Sequence, residues 1–261
     1  MPCLQRPWGH MHYRSRGSSG GPAVVFVNSL GTDLRMWDAV IDRLPALRSI
    51  AFDKRGHGLS ATPADGWTIE DLADDVAALI EALAVKKAVV VGCSVGGLVA
   101  QAIAARRPEL LAGIVISNSA AKIGTPDSWQ ARIDTISTDG LAAIVDTVMS
   151  VWFPQSYRDG VDWLAWRTMF LRADLAGYIG TCRALAAADF RDSSSEITLP
   201  VLVIGGTEDK STLPEVVAGL AGSIPGARLA MLEGSGHIPA IDNPGVTAGL
   251  IADFLAEVVR G

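Results

Sequence analysis

A cysteine and a serine stand side by side in a glycine-rich stretch, VVVGCSVGG at 89–97, and either side chain has the chemistry of a nucleophile. The Gly-x-Ser-x-Gly spacing centres the stretch on Ser94, and the valines before it predict a strand that turns sharply into a helix. Such a turn exposes its central side chain and needs small neighbours, because the helix packs close to the strand. We therefore expect Ser94 to be the nucleophile and Cys93 to be an inert thiol at a buried strand end.

A serine nucleophile needs a base, and the base needs an acid that orients it. Among the four histidines, His237 follows the last strand-like run, where a loop would reach the carboxyl edge of a sheet. The chain order serine, acid, histidine selects it as the base. His57 lies in the Gly-flanked loop DKRGHGLS, and we interpret it as a structural histidine that bonds backbone atoms.

The acid is expected after a strand that lies between the serine and the histidine. VLVIGGTEDKST offers two acids there, of which the shorter Asp209 is the preferred choice and Glu208 is the alternative. The end of the preceding strand, the other common position, reads ISNSA and has no acid. That absence favours Asp209.

Two backbone amides are expected to form an oxyanion hole for the tetrahedral intermediate. Val95, directly after the nucleophile, would supply one, and Leu30, in the loop after an early strand, would supply the other. Asn28 and Ser29 either orient this loop or bind substrate, and ordinary turn chemistry explains them equally well. No HExxH or CxxC spacing predicts a metal site, and no cofactor is expected.

A parallel sheet would bring these residues to one edge. Four short apolar runs predict buried parallel strands, and amphipathic helical patterns lie between them. The runs are AVVFV (23–27), AVVV (88–91), GIVIS (113–117) and PVLVIG (200–205). The alternation predicts an α/β fold with a mostly parallel central sheet and helices on both faces.

The alternation stops between about 122 and 195, where the sequence is helical in character and holds most of the tryptophans. A helical insert between two halves of one sheet domain is the simplest explanation. We predict a core domain made of 1–121 and 196–261, with a helical cap at 122–195.

The composition and the net charge of the chain limit the kinds of partner that are expected. The chain has 261 residues, of which 49% are hydrophobic and 19% charged, with a formal net charge of −6 and no basic run, so nucleic acid is not expected as a partner. Three cysteines, far apart in the sequence, indicate reduced thiols. The uncharged stretch from 88 to 105 approaches the length of a membrane span, but its glycines favour a strand, a turn and a helix. A soluble, cytoplasmic protein is expected, and its oligomeric state is left open.

Five stretches of the chain are distinctive: NSLGTDLRMWD (28–38), DKRGHGLS (53–60), GCSVGG (92–97), AAKIGTPDSWQARI (120–133) and GGTEDKSTLPE (205–215). Through these stretches the sequence resembles the α/β-hydrolase fold over nearly its whole length and, more narrowly, the 3-oxoadipate enol-lactonases of the β-ketoadipate pathway for aromatic catabolism. Many α/β-hydrolases have His-Gly where this chain has Asn28-Ser29. The enol-lactonases differ from those hydrolases at this position and are similar to this chain. Cys93 and Val95 are smaller than the residues more often found at their positions in that family.

The resemblance implies hydrolysis of a five-membered enol-lactone with an acetate arm, a small anionic substrate, without metal or cofactor. It also implies that the insert covers the site. Trp129 and Arg132 are three residues apart, on one helix face, where Trp129 would line the pocket and Arg132 would pair with the substrate carboxylate. A core tryptophan beside a solvated arginine is the competing explanation.

Other functions use the same fold. A general carboxylesterase, or a carbon–carbon bond hydrolase of a ring-cleavage pathway, needs the same triad. A non-catalytic ligand receptor on a hydrolase scaffold is a more remote alternative, against which the complete triad argues. Haloalkane dehalogenation is disfavoured because that chemistry uses a carboxylate where this chain has Ser94.

Overall fold

A mostly parallel sheet forms the centre of the molecule. The computed structural model describes residues 1–17 and 23–260. The strands in these ranges are β1 Cys3–Arg6, β2 Gly9–Arg16, β3 Ala23–Val27, β4 Arg48–Phe52, β5 Ala88–Cys93, β6 Leu111–Ser117, β7 Val201–Gly206 and β8 Arg228–Leu232. Their order across the sheet is β1-β2-β4-β3-β5-β6-β7-β8. β2 runs antiparallel to β1 and β4, whereas the pairs from β4 to β8 are parallel, which confirms the predicted α/β class.

Helices connect the parallel strands. The α-helices of the described residues are α1 Asp38–Ile41, α2 Ile69–Ala82, α3 Val95–Arg106, α4 Pro126–Asp139, α5 Val145–Trp152, α6 Gln155–Arg158, α7 Trp163–Leu171, α8 Leu175–Ala187, α9 Arg191–Ser194, α10 Pro214–Ser223, α11 Pro239–Asp242 and α12 Pro244–Arg260. Short 3-10 helices cover Leu34–Trp37, Pro108–Leu110 and Leu141–Ala143.

Helices α3 and α12 cover opposite faces of the sheet. A Cβ atom on Gly113 of β6 would lie 2.9 Å from the ring of Phe254 in α12, whereas a Cβ atom on Gly97 of α3 would lie 2.9 Å from the side chain of Ile116 in β6. Gly113 and Ile116 are three residues apart in β6, and residues at this spacing in a strand point to opposite faces of the sheet. The two helices therefore lie on different faces. The predicted covering of both faces is therefore confirmed.

The central strands are buried along their whole length, as their continuous apolar runs require. The uncharged stretch from 88 to 105 divides into β5, a turn at Ser94 and α3, as predicted. In the part of the chain that the structure describes, no helix has both the length and the apolar character needed to cross a membrane.

Helices α4 to α9 lie between β6 and β7 in the chain, with α4 packed on α8 and α5 on α7. An aromatic cluster joins them: Phe170 meets Trp152 edge-on at a centroid distance of 5.6 Å and Tyr178 at 5.5 Å. Edge-to-face pairs of this kind add to the stability given by burial alone. These aromatic side chains belong to the same hydrophobic core as the residues of the sheet, so the helical segment packs on the rest of the molecule through them.

Candidate active site

The turn between β5 and α3 holds Ser94 in a strained conformation. Its backbone has φ 56° and ψ −118°, a region that residues with a side chain rarely adopt. A Cβ atom on Gly92 would lie 1.9 Å from the carbonyl oxygen of Gly96, and one on Gly96 would lie 2.4 Å from that of Val27. Glycine is therefore required at both positions for the helix to approach the sheet, and the serine stands at the end of the strand.

Cys93 ends β5 and is buried, as predicted. Its Sγ donates a weak hydrogen bond to the carbonyl oxygen of His237 at 3.6 Å. Burial raises the pKa of this thiol above its ordinary range, and the charge of Asp209 adds to the effect. Cys93 is therefore a protonated packing residue next to the site and lacks the thiolate that a nucleophile needs.

Asp209 and His237 form a buried pair. His237 Nδ1 lies 2.9 Å from Asp209 Oδ2, and both side chains are almost fully enclosed. Asp209 Oδ1 also accepts hydrogen bonds from the amides of Ser211 at 2.7 Å and Thr212 at 3.0 Å. Burial by itself raises the pKa of Asp209, but the charge of His237 and these donated hydrogen bonds outweigh it, so the pKa lies below its usual value. The acid is a carboxylate at neutral pH.

The contact with Asp209 favours one tautomer of His237. An Nδ1–H that donates to Asp209 leaves Nε2 as an acceptor, the form that a general base requires. Cys93, which bonds the carbonyl of His237, directly precedes Ser94, so His237 and Ser94 are brought to the same edge of the sheet. Among the hydrogen bonds of the described residues, none joins the Ser94 hydroxyl to the imidazole, and such contacts often shorten only when substrate is bound. Glu208, the alternative acid, is exposed.

Asn118 is a residue of the site that sequence reasoning missed. It follows β6 with φ 49°, and its Nδ2 donates to Asp209 Oδ2 at 2.9 Å and to the carbonyl oxygen of Gly236 at 3.0 Å. It thus links the acid to the loop that carries the base. The signal was the position itself, since ISNSA has an amide where an acid was sought.

Asp242 is a second residue that sequence reasoning missed, and it bonds the loop that precedes His237. Its Oδ2 accepts a hydrogen bond from the amide of Gly236 at 2.7 Å, and its Oδ1 accepts one from the hydroxyl of Ser235. The amide of His237 donates to the carbonyl oxygen of Trp152 at 2.8 Å, which ties the same loop to helix α5. The loop of His237 is therefore held by contacts with both the core and the helical segment.

Leu30 and Val95 carry the two amides that were predicted to be oxyanion donors. Among the described residues, neither the Leu30 amide nor the Val95 amide donates to a protein acceptor. The neighbouring Gly31 amide donates to His57 Nε2 at 3.1 Å, and His57 Nδ1 donates to the carbonyl oxygen of Arg55 at 3.0 Å. Burial lowers the pKa of His57 well below its ordinary value, so the ring is neutral. His57 is the structural histidine that the sequence predicted.

Asn28 and Ser29 are buried within the loop that precedes Leu30. The Asn28 side-chain amide donates to the carbonyl oxygen of Thr32, and the Ser29 amide donates to Met36 Sδ at 3.4 Å. Of the two expectations for this pair, the contacts match the orientation of the loop.

Trp129 and Arg132 lie on one face of α4, as their spacing predicts. Trp129 is buried and donates from Nε1 to the carbonyl oxygen of Ile123 at 2.7 Å. The Arg132 guanidinium lies 5.2 Å from the centre of the Trp129 ring, and its Nη1 donates to Tyr178 Oη at 3.3 Å. A Cβ atom on Gly31 would lie 3.0 Å from the Tyr178 ring. The Tyr178 side chain therefore lies between Arg132 and the loop that carries Leu30 and Gly31.

A cavity of about 760 Å³ is lined in part by the same loop. Its walls include Gly31, His57 and Met169 but none of Ser94, Asp209 and His237, so it lies beside the loop rather than over the triad. In the described ranges, no group of three or more histidine, cysteine or acidic side chains is arranged to hold a metal ion.

Comparisons with known proteins agree with this geometry. Residues 22–244 match the profile of the α/β hydrolase fold family. The chain is 36% identical to 3-oxoadipate enol-lactonase 2 of Acinetobacter baylyi over 240 residues, which cover 90% of this chain and 88% of that protein. It is 38% identical to 3-oxoadipate enol-lactonase 1 of the same organism over 199 residues, 75% of this chain and 74% of that one. The crystal structure of the enol-lactonase from Burkholderia xenovorans superposes with a TM-score of 0.93 at 36% identity, covering 98% of this chain and 100% of that chain.

Proposed function

The chain belongs to the α/β hydrolase fold family, and on this premise we propose that it hydrolyses 3-oxoadipate enol-lactone to 3-oxoadipate with Ser94 as nucleophile, His237 as base and Asp209 as the orienting acid. The observation that carries the proposal is the buried Asp209–His237 hydrogen bond beside the strained turn at Ser94. The similarity to two enol-lactonases of Acinetobacter baylyi supports the choice of substrate.

Acylation opens the lactone ring. Ser94 Oγ attacks the ring carbonyl carbon while His237 Nε2 takes the hydroxyl proton. The negative charge moves to the former carbonyl oxygen, which accepts hydrogen bonds from the amides of Leu30 and Val95. The bond between the carbonyl carbon and the ring oxygen then breaks, and the ring oxygen leaves as an enol that receives its proton from His237. An enolate is a better leaving group than an alkoxide, so this step needs little proton donation from His237.

Deacylation repeats these steps with water. His237 takes a proton from the water, whose oxygen attacks the acyl carbon, and the same two amides stabilise the second tetrahedral intermediate. The ester bond to Ser94 breaks, and the serine oxygen regains its proton from His237. The released enol tautomerises to 3-oxoadipate. Apart from this water and the substrate, the proposed steps use side chains and amides of this chain.

Arg132 is the proposed partner of the substrate carboxylate. Among the described residues it forms no ion pair, whereas Arg167, another arginine of the helical segment, is paired with Asp146 at 2.9 Å. Burying the carboxylate of a substrate without a partner is costly, and the net charge of −6 repels an anion. Arg132 is partly buried against Trp129, which keeps its charge-assisted hydrogen bonds strong. Trp129 is proposed to line the part of the pocket that holds the acetate arm.

The proposal extends to the organisation of the chain into a core and a cap. We propose that residues 122–195 form a cap over the triad, between core parts at 1–121 and 196–261. The bond from the His237 amide to the carbonyl of Trp152 in α5 supports this proposal, since it joins the catalytic loop to the cap.

The test compares three substrates with one preparation of enzyme. The enol-lactone should be hydrolysed with a higher kcat/KM than p-nitrophenyl acetate and than a dienoate from ring cleavage. Ser94→Ala serves as the control for contaminating esterases. A preference for the nitrophenyl ester would support the general carboxylesterase, and a preference for the dienoate would support a carbon–carbon bond hydrolase. Either result would reject the lactone as the substrate.

A further inference from the structure

The peptide unit between Ser29 and Leu30 has donors crowded on one side. The carbonyl oxygen of Ser29 accepts hydrogen bonds from Lys54 Nζ at 2.6 Å, from Thr32 Oγ1 at 2.9 Å and from the Thr32 amide at 3.3 Å. The amide of Leu30 belongs to the same peptide unit. In a trans peptide the C=O and N–H groups point in opposite directions, so donors that fix the carbonyl also fix the direction of the Leu30 N–H.

Lys54 is an unusual donor because it is fully buried. Its side chain is among the largest fully buried ones, with 1% exposure, and among the described residues Ser29 is its only hydrogen-bond partner. Burying an ammonium group is costly, and a methionine of similar shape would avoid that cost. A hydrogen bond from a positive charge polarises the peptide that accepts it, which makes the N–H at the other end a stronger donor.

We propose that Lys54 is a positioning residue of the oxyanion hole, whose ammonium group orients and polarises the Ser29–Leu30 peptide so that the Leu30 amide stabilises the tetrahedral intermediate. This role rests on the proposed function of Leu30 as an oxyanion donor. Lys54 does not touch the substrate, and it acts on kcat through the peptide alone.

The charge of Lys54 gives the proposal a pH signature. Asp53 and Asp33 face the ammonium group and favour its charged form, but burial outweighs them and lowers its pKa well below 10.5. The other groups that face it stay neutral, since burial raises the pKa of Cys93 above its ordinary range and lowers that of His57. As the pH rises through the pKa of Lys54, the positive charge is lost. We therefore expect kcat to fall to a lower plateau as the pH rises through this pKa, which lies well below 10.5.

The experiment compares Lys54→Met with Lys86→Met, which removes an exposed lysine. Enol-lactone and p-nitrophenyl acetate are assayed from about pH 5 to about 10.5 with wild type and both variants, and thermal unfolding is recorded. Removing a direct oxyanion donor costs about 10²–10³-fold in kcat, so the loss of a group behind the donor should cost roughly 10- to 100-fold. Lys54→Met should lose this factor on both substrates with KM little changed, and its alkaline step should be absent. Lys86→Met should behave as wild type.

Three results would overturn the proposal: kcat of Lys54→Met within about twofold of Lys86→Met, a loss confined to KM, or a wild-type profile without an alkaline step. The wild-type profile decides the matter if Lys54→Met does not fold. Thr32→Val then supplies the second variant, because it removes an uncharged donor from the same carbonyl and should lower kcat several-fold while the step remains. Failure of the proposed function is a separate result, since hydrolysis of both substrates would then survive Ser94→Ala.

Discussion

Replacing Arg132 by alanine tests how the carboxylate of the substrate is recognised. The guanidinium stacks 5.2 Å from the centre of the Trp129 ring and donates to Tyr178 Oη, and among the described residues it has no carboxylate partner. A substrate carboxylate would complete its hydrogen bonding. The variant therefore removes one expected charge-assisted contact with the substrate and two contacts within the helical segment.

The two kinds of loss have different magnitudes and different signatures. A hydrogen bond to a charged group contributes about 1.5–3 kcal/mol, which corresponds to about 10–150-fold in binding. The stacking on Trp129 contributes about 0.5–1 kcal/mol to the fold. The first loss applies only to a substrate with a carboxylate, whereas the second affects every substrate equally.

The assay measures kcat/KM for the enol-lactone and for the same ring with a methyl group in place of the acetate arm. Arg132→Ala should lower the first value by about 10–150-fold and the second by no more than about fivefold, given the small contribution of the stacking. Arg132→Lys, which keeps the charge, should retain part of the preference, and Arg167→Ala, whose guanidinium is paired with Asp146, should leave it unchanged. Equal losses on both substrates would refute the reasoning, because Arg132 would then only hold the helical segment together.

Three further predictions concern the triad and its surroundings. Asp209→Asn should lower kcat by about 10⁴-fold because it favours the wrong tautomer of His237, whereas the exposed Glu208→Gln should be mild in the same steady-state assay; the reverse ranking would move the acid to Glu208. Cys93→Ala should retain most of the kcat, since the thiol is buried and protonated, and an inactive variant that still unfolds cooperatively would count against this role. Burial raises the pKa of Asp242 to about 6 from 3.8, so its contribution to stability is fully present below pH 3.8 and is lost as the pH rises through about 6. Thermal unfolding from pH 4 to 8 should therefore depend less on pH in Asp242→Asn than in wild type, and equal slopes would exclude Asp242 as the cause.

The parts of the fold that the sequence predicted are those with a local signal. The strand at 23–27 has the predicted bounds, and the strand ends of β5, β6 and β7 differ by at most two residues, because buried parallel strands are continuous apolar runs. The hairpin of β1 and β2 has no such run, and its pairing with β4 is a contact between distant parts of the chain. The sheet therefore extends further at this edge than the apolar runs indicate.

The residues around the predicted site were harder to find for the same reason. Asn118 bonds Asp209 across 91 positions of sequence, and Lys54 bonds the Ser29 carbonyl across 25. Neither side chain has a distinctive pattern, and each acts only through an atom that the fold brings close. The nucleophile turn was visible because its requirement for glycine is local, within the few residues from 92 to 97.

The central claim is that Ser94 opens the lactone ring, and the rate of enol-lactone loss with wild type and Ser94→Ala tests it most directly. The lactone is followed by ultraviolet absorbance at one enzyme concentration, and thermal unfolding verifies that the variant is folded. Removal of the nucleophile should lower kcat by roughly 10⁴-fold or more, leaving only the contribution of the oxyanion hole and of binding. A folded Ser94→Ala that keeps more than about a tenth of the wild-type rate would contradict the claim, since such a loss is less than about 1.4 kcal/mol of transition-state stabilisation.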